Sequence, residues 1–488
     1  MKKIVFKSAL ITFLILLIPL AVFVFFQKKP TISQEAVCQN CNIILISMTN
    51  LRFDHLSTNG YFRPTTPNLD KLAEESLNFS NAYSHASWTL PESISIYTGL
   101  YPYQHGVMNR YDGSKLSADA VTLLDVLKQN GYLTAAFTGG FDYHPEFGLT
   151  NRFNVYQECK RGQQAPSYPR QVGPVATEGP SQYGELSCTI PQALTWLKEN
   201  SKQKFFLHVQ GFDAHCPFSY QDQLLYDQNY QGSVDFSDCL WTFDKSKPVV
   251  KNGKSYYPVY SAKTGTEASI LLGEEDITHL IALYDTSITI TDQKIGLFLE
   301  EIKKMGLDKN TIIIFTSEHG DMFGKHGRFM RGGPLRGTFY DDVLHIPLFI
   351  RIPKVAARSI SGLIEQIDLA PTISNLVGLP FPNSSGQSLL ALIFQNQDLK
   401  QYVFAGAEFK PDPNNPYFSK KTKVEAIRSQ NWKLIEETVY DKNTPSKTVE
   451  LYDIVNDKEE LNNLAETKKD VLQNLQKQLK DWSERMNQ

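Results

Sequence analysis

The chain has 488 residues, 41% of them hydrophobic and 21% charged, which excludes an intrinsically disordered chain and allows one large α/β domain with a smaller appendage. Lys and Arg number 49 against 52 Asp and Glu, a net charge of −3. So even a balance leaves no electrostatic footprint for nucleic acid, and no such partner is expected.

At the N-terminus, Lys2, Lys3 and Lys7 precede an apolar run from Ala9 to Phe26, and Lys28 and Lys29 follow it. A run of roughly 18–20 apolar residues crosses a bilayer as a helix, and Pro19 is tolerated there. The run ends in Val22-Phe23-Val24-Phe25-Phe26, without the small-x-small cleavage site of a secretory signal. Residues 1–29 therefore read as a cytoplasmic tail and transmembrane signal anchor, with a single-pass membrane location and the main domain extracytoplasmic. Residues 30–41 read as a stalk. Cys38, Cys41, Cys159, Cys188, Cys216 and Cys239 suit an exported chain, with their pairing open. Cys38-Gln39-Asn40-Cys41 has no second CxxC to accompany it, so a local disulfide or free thiols are favoured over a redox or metal motif.

The apolar run Asn42–Met48 reads as a buried parallel strand. Asn68–Glu75 and Val121–Asn130 have helical spacing, and the strand Leu133–Phe137 follows the second. Lys160–Gly184 reads as a surface loop, Phe205–Gln210 as a strand, and Phe218–Gly273, without clear period, as an insertion. Glu274–Met305 predicts one or two long helices and Thr311–Ser317 another buried strand. This alternation argues a mainly parallel sheet with helices on both faces. After Phe394, the stretches Val424–Glu437 and Thr448–Tyr452 read as a small antiparallel sheet, and Val471–Met486 as a closing helix.

Polar residues gather where these strands end, the edge at which such sheets bind ligands. Thr49 and Asn50 follow the first strand, Thr89 opens a helical run, Asp213 and His215 follow another strand, and Glu318 and His319 follow Thr311–Ser317. Carboxylate, imidazole, amide oxygen and hydroxyl together could hold a divalent cation, beside which a Thr hydroxyl acts as nucleophile. Each piece also has a plainer reading: Thr49 and Asn50 as a turn, Thr89 as a helix N-cap, and Asp213 with His215 as a surface hydrogen bond.

The order of motifs resembles the sulfatase family of the alkaline-phosphatase-like superfamily. Its opening strand and L-R-x-D-H stretch look like Leu51-Arg52-Phe53-Asp54-His55, and its nucleophile segment C/S-x-P-S-R resembles Thr89-Leu90-Pro91-Glu92-Ser93 with Thr98-Gly99 beyond. Its D-x-H stretch resembles Asp213-Ala214-His215, its T-S-D-H/N-G segment TSEHGDMFGKHG, its K-G-T-x-Y segment Arg336-Gly337-Thr338-Phe339-Tyr340, and its tail ELYDIVNDKEELNNLA. The likeness spans residues 42–465. It implies a three-layer α/β sandwich with a mainly parallel sheet over residues 42–394 and a small α+β subdomain over 395–488.

By the same resemblance, Thr49, Asn50, Glu318 and His319 take the metal positions, Thr89 the nucleophile position, His215 a catalytic and anion-binding position, and Arg336 that of the anion-binding Lys. The implied metal is Ca2+, with Zn2+ as the alternative. The family surrounds its 2+ ion with about three carboxylates; by motif this chain supplies one, Glu318, and Asp54, Asp213 and Asp321 are candidates to fill the gap. Formylglycine is not expected, because the Thr89 β-carbon carries a methyl group. The implied substrate is a sulfate or phosphate ester on a small molecule, glycan or lipid headgroup. The alternatives are an inactive fold that binds an anionic ligand or partner, and a Thr-based phosphodiesterase or phosphoethanolamine-type transferase.

Overall fold

The computed structural model describes residues 37–110, 113–159, 184–216, 218, 223–232, 241–243, 248–261, 267–327, 331, 337–411, 420–441 and 444–486. The N-terminal apolar run, Arg336, Cys239 and nearly all of the Lys160–Gly184 loop lie outside these residues. Among the described residues, no helix is long and apolar enough to cross a membrane.

Strands are numbered in chain order: β1 Asn42–Met48, β2 Leu77–Tyr83, β3 Leu133–Thr138, β4 Val155–Glu158, β5 Phe205–Gly211, β6 Trp241–Phe243, β7 Val249–Lys251, β8 Lys254–Ser261, β9 Glu267–Gly273, β10 Thr311–Thr316, β11 His345–Arg351, β12 Arg358–Ile360, β13 Ile364–Glu365, β14 Val403–Phe409, β15 Lys421–Arg428, β16 Trp432–Tyr440 and β17 Ser446–Asp453. The central sheet runs β12-β2-β11-β10-β1-β5-β3-β4, with β13 beside β2. β10, β1, β5, β3 and β4 pair in parallel, while β11 is antiparallel to both β10 and β2.

Strand β1 shows why the sheet has two covers. Its side chains alternate, so Ile44, Ile46 and Met48 join one core with Leu69, Leu197, Leu280 and Ile295. Ile43 and Leu45 join another, with Leu90, Ile94, Leu124, Leu127 and Ile373. Helices Pro67–Glu74, Leu186–Asn200 and Glu274–Lys304 thus cover one face, and Thr89–Thr98, Leu123–Gln129 and Leu369–Leu376 the other. A strand apolar along its whole length is the one that must be buried on both sides. Each fully buried Ile or Leu in it contributes roughly 1.5–3 kcal/mol of transfer free energy.

The expected helix after residue 274 is a single one of 31 residues, Glu274–Lys304. The stretch read as an unpatterned insertion contains regular structure: β6 to β9 form an antiparallel sheet on β8. C-terminally, β14-β15-β16-β17 form the expected antiparallel sheet: the stretch Val424–Glu437 divides between β15 and β16, and β14 lies outside the stretches read from the sequence. Leu475, Leu479 and Trp482 of the helix Lys469–Met486 pack on one of its faces with Ile427, Leu434 and Leu451. The other face meets Tyr83, Phe339, Val343 and Leu344 of the main body. Disulfides join Cys38 to Cys41 and Cys159 to Cys188, and Cys216 is also disulfide-bonded. The CxxC is therefore a local disulfide.

Candidate active site

Because β1, β3, β5 and β10 run in parallel, their carboxyl ends deliver Thr49, Tyr143, Gln210 and Glu318 to one edge of the sheet. Glu318 is fully buried and is held by hydroxyls: Ser47 donates to Oε1 at 2.9 Å, Tyr143 to Oε1 at 2.6 Å and Thr49 to Oε2 at 2.9 Å. Burial pushes its pKa up, and the three hydroxyls pull it back. Among the described residues, no cationic side chain forms an ion pair with it.

The donors are themselves oriented by buried partners. Gln210 Nε2 donates to Thr49 Oγ1 at 2.8 Å, so the Thr49 proton is left for Glu318. The His208 ring lies between Tyr97 (Nδ1 to OH, 2.9 Å) and Ser47 (Nε2 to Oγ, 3.0 Å). Since the Ser47 proton goes to Glu318, Nε2–H donates to Ser47 and Nδ1 accepts from Tyr97. That neutral tautomer agrees with a pKa lowered to about 3 by burial.

Thr89 is the first residue of the helix Thr89–Thr98, and its hydroxyl does not cap that helix. Oγ1 lies 3.1 Å from His319 Nε2, and both residues are buried. His319 Nδ1 lies 2.8 Å from the Gly320 carbonyl, which can only accept. The proton therefore sits on Nδ1, and Nε2 is a bare lone pair receiving the Thr89 hydroxyl. Burial, and next the Arg331 charge, hold the ring well below the usual histidine pKa, so it is neutral at neutral pH.

Asn50 occupies the turn after β1 with φ 72°, a left-handed conformation that Asn tolerates better than most residues. The turn reading is thus correct for its backbone, while its side chain faces the site. Nδ2 donates to Asp321 Oδ2 at 2.7 Å, and the buried Oδ1 has no hydrogen-bond partner. Of the three carboxylates that could compensate for Thr49 and Asn50, Asp321 is the one brought in. Asp54 pairs with Arg52 at 2.6 Å and is half exposed. Asp213 turns away, accepting from the Leu186 N–H at 2.8 Å and from Thr291 Oγ1 at 3.0 Å. Gly211 permits that turn: a β-carbon there would lie 2.4 Å from both Asp213 Oδ2 and the Leu186 nitrogen.

His215 reaches the site through Arg331, whose Nη2 lies 3.2 Å from His215 Nε2 and whose Nη1 lies 3.3 Å from Asp321 Oδ2. The Arg331 backbone N–H also donates to Asp321 Oδ1, at 2.8 Å. His215 Nδ1 donates to the Cys216 carbonyl, so Nε2 accepts from the guanidinium. Arg331 lies in the same Gly-rich stretch as Arg336 and was not singled out from the sequence.

These residues do not fit the divalent cation that the motifs imply. Both Glu318 oxygens are occupied by hydroxyl protons, Asp321 is bound to Asn50 and a guanidinium, and the His319 lone pair faces Thr89. Among the described residues, no three His, Cys, Asp or Glu side chains gather as a ligand set. Asn50 Oδ1, a buried oxygen with no hydrogen-bond partner, is uncharged, and hard cations are held by several oxygens, with affinity rising with ligand charge. Thr49, Asn50, Glu318 and His319, the four positions at which the motifs place a metal, are brought together, and their side chains share hydrogen bonds within one buried cluster.

Fold and site together define an α/β sandwich with a buried polar cluster at the carboxyl ends of its parallel strands. The Sulfatase family model matches residues 41–379, and the model described as N-sulphoglucosamine sulphohydrolase, C-terminal, matches 324–487. An arylsulfatase of Clostridium perfringens is 27% identical over 436 residues, covering 78% of this chain and 84% of that one. A solved 2-O GAG sulfatase superposes with TM-score 0.68 at 19% identity over 91% of this chain and 92% of that one. The phosphonate monoester hydrolase of Agrobacterium radiobacter superposes with TM-score 0.67 at 21% identity over 91% and 96%. The chain belongs to the sulfatase family, a family of sulfuric-ester hydrolases.

Proposed function

We propose that this protein hydrolyses a sulfate monoester by using Thr89 as nucleophile and His319 as general base, in a catalytic domain of residues 42–394 carrying a subdomain of 395–488. The observation that supports it is the hydrogen bond from Thr89 Oγ1 to the bare Nε2 of His319, whose other nitrogen is fixed on a carbonyl. As Oγ1 bonds to sulfur, its proton passes to Nε2. The sulfur–oxygen bond to the alcohol breaks, and the departing oxygen takes a proton from solvent. His319 returns its proton to solvent and then accepts one from a water that attacks the sulfo-threonine. Sulfate leaves, and Thr89 Oγ1 regains the proton from His319. A sulfated glycan suits this reading, because the 2-O GAG sulfatase and this chain share the fold.

The same chemistry admits a phosphate ester, giving a Thr-based phosphodiesterase or transferase. A non-catalytic anion-binding role is favoured by one observation, the full occupation of Glu318 by neighbouring hydroxyls. The apolar run Ala9–Phe26 supports a membrane anchor, with the domain on the extracytoplasmic side. Hydrolysis of nitrophenyl sulfate and nitrophenyl phosphates by the wild type, Thr89→Ala and Thr89→Ser tests the reading. Turnover lost in Thr89→Ala and partly kept in Thr89→Ser is expected; turnover unchanged in Thr89→Ala overturns it.

A further inference from the structure

We infer that the Arg331 guanidinium supplies the positive charge that relatives' motifs assign to a divalent cation, so that this site binds a sulfate monoester, or inorganic sulfate, without metal. The inference rests on the proposed reading for its ligand class, but not on Thr89 being the nucleophile.

Three observations carry it. The first is the position of Arg331, which is 5% exposed, bonds both His215 and Asp321, and lies near enough to His319 to depress its pKa. It thus touches or electrostatically senses residues from the ends of β5 and β10. The second is the commitment of the former ligand set. Thr49 hands its proton to Glu318, and Asn50 hands an amide proton to Asp321, so the positions that should present negative oxygens present donors.

The third is charge. A 2+ ion among three carboxylates sums to −1. Glu318 and Asp321 with one guanidinium also sum to −1, so the loss of a carboxylate and the exchange of the ion for Arg331 compensate. A planar guanidinium also suits a tetrahedral oxyanion, whose oxygens it binds in pairs. Asp321 and His215 hold that plane from two sides, so the group is oriented before any ligand arrives.

The experiment uses the full chain in detergent, dialysed against a chelator. Its metal content is measured by mass spectrometry, and inorganic sulfate binding by calorimetry with and without calcium or zinc. Metal well below one ion per chain, with sulfate binding unaffected by chelator or added cation, is expected. Arg331→Met is expected to weaken sulfate binding by roughly ten- to a hundredfold, the range of a lost charged hydrogen bond, and Arg331→Lys by less. Thr89→Ala should keep sulfate binding, so failure of the nucleophile assignment is separable from failure of this inference.

Should Arg331 variants not fold, a second pair keeps the question answerable. The wild-type melting temperature should not move with calcium, whereas Thr49→Asp combined with Asn50→Asp, which sets carboxylates against Glu318 and Asp321, should gain a calcium-dependent rise. A tightly held metal ion in the wild type, sulfate binding that requires calcium or zinc, or a wild-type melting temperature raised by calcium would each overturn the inference.

Discussion

The Tyr143 hydroxyl stands 2.6 Å from Glu318 Oε1, completing a set of three hydroxyls around a carboxylate with no ion-pair partner among the described residues. Tyr143→Phe should destabilise the protein by about 1–3 kcal/mol, because a buried acceptor loses a donor and no water is admitted. The hydroxyl lowers the Glu318 pKa, which burial raises. Its removal raises that pKa further, so the loss grows as pH rises through the carboxyl's titration. Urea denaturation in a series from acid to alkaline pH checks both parts; a loss that does not change across the series would contradict the second.

Asp213 offers a pH dependence away from the chemistry. Burial, and next the Glu185 charge, push its pKa up to about 7 from an ordinary 3.8. The folded state therefore binds that proton more tightly than the unfolded chain. The stabilisation is complete below about pH 4 and is lost as pH rises through 7. Asp213→Asn lacks this slope, so its stability relative to wild type should improve steadily from pH 4 to pH 8 in denaturation series.

His319→Ala should lower kcat on nitrophenyl sulfate by about 10²–10⁴-fold, the usual worth of a general base. Circular dichroism should be unchanged. Because the ring, among the described residues, donates to the Gly320 carbonyl and accepts from Thr89, a stability loss as large as the rate loss would point to a packing role instead.

The junction between main body and C-terminal sheet is ionic. Asp341 receives Lys433 Nζ at 2.7 Å and Arg428 Nε at 3.0 Å, and Lys433 also meets Glu460 at 2.8 Å. Burial opposes ionisation of Asp341, but the Lys433 and Arg428 charges prevail and hold its pKa well below the ordinary value. Asp341→Ala leaves those cations undercompensated and should cost about 3–5 kcal/mol in equilibrium unfolding. A loss under about 1 kcal/mol would show the network to be solvated, as surface pairs are.

The Cys159–Cys188 bridge closes a loop with a sequence separation of 29. Loop-closure entropy assigns it roughly 3–4 kcal/mol, so Cys159→Ala with Cys188→Ala should lower the unfolding free energy by that order. Peptide mapping without reductant should recover Cys38–Cys41 and Cys159–Cys188 as linked fragments.

Much of the sheet was legible because its strands are buried on both faces. Asn42–Met48 and Thr311–Thr316 are continuous apolar runs that only a covered parallel strand explains. β2 and β11 escaped notice as strands, because LNFSNAY mixes polar with apolar residues and His345–Arg351 contains Pro347. The insertion's strands β6 to β9 carry no clean alternation. In the site, Ser47, His208 and Gln210 had a readable signal, polar residues inside otherwise apolar strands, that went unused. Tyr143 and Arg331 had none, since both come from irregular segments placed only by the folded backbone.

The ordered motifs alone determined the family, the parallel sheet and the clustering of Thr49, Asn50, Thr89, Glu318 and His319, because strand polarity sends every such residue to the same edge. Only the tertiary structure decided how their hydrogen bonds are shared. Whether a carboxylate faces a cation or a hydroxyl depends on side chains from distant segments, here Tyr143 on Glu318 and Arg331 on Asp321. No local pattern encodes those meetings.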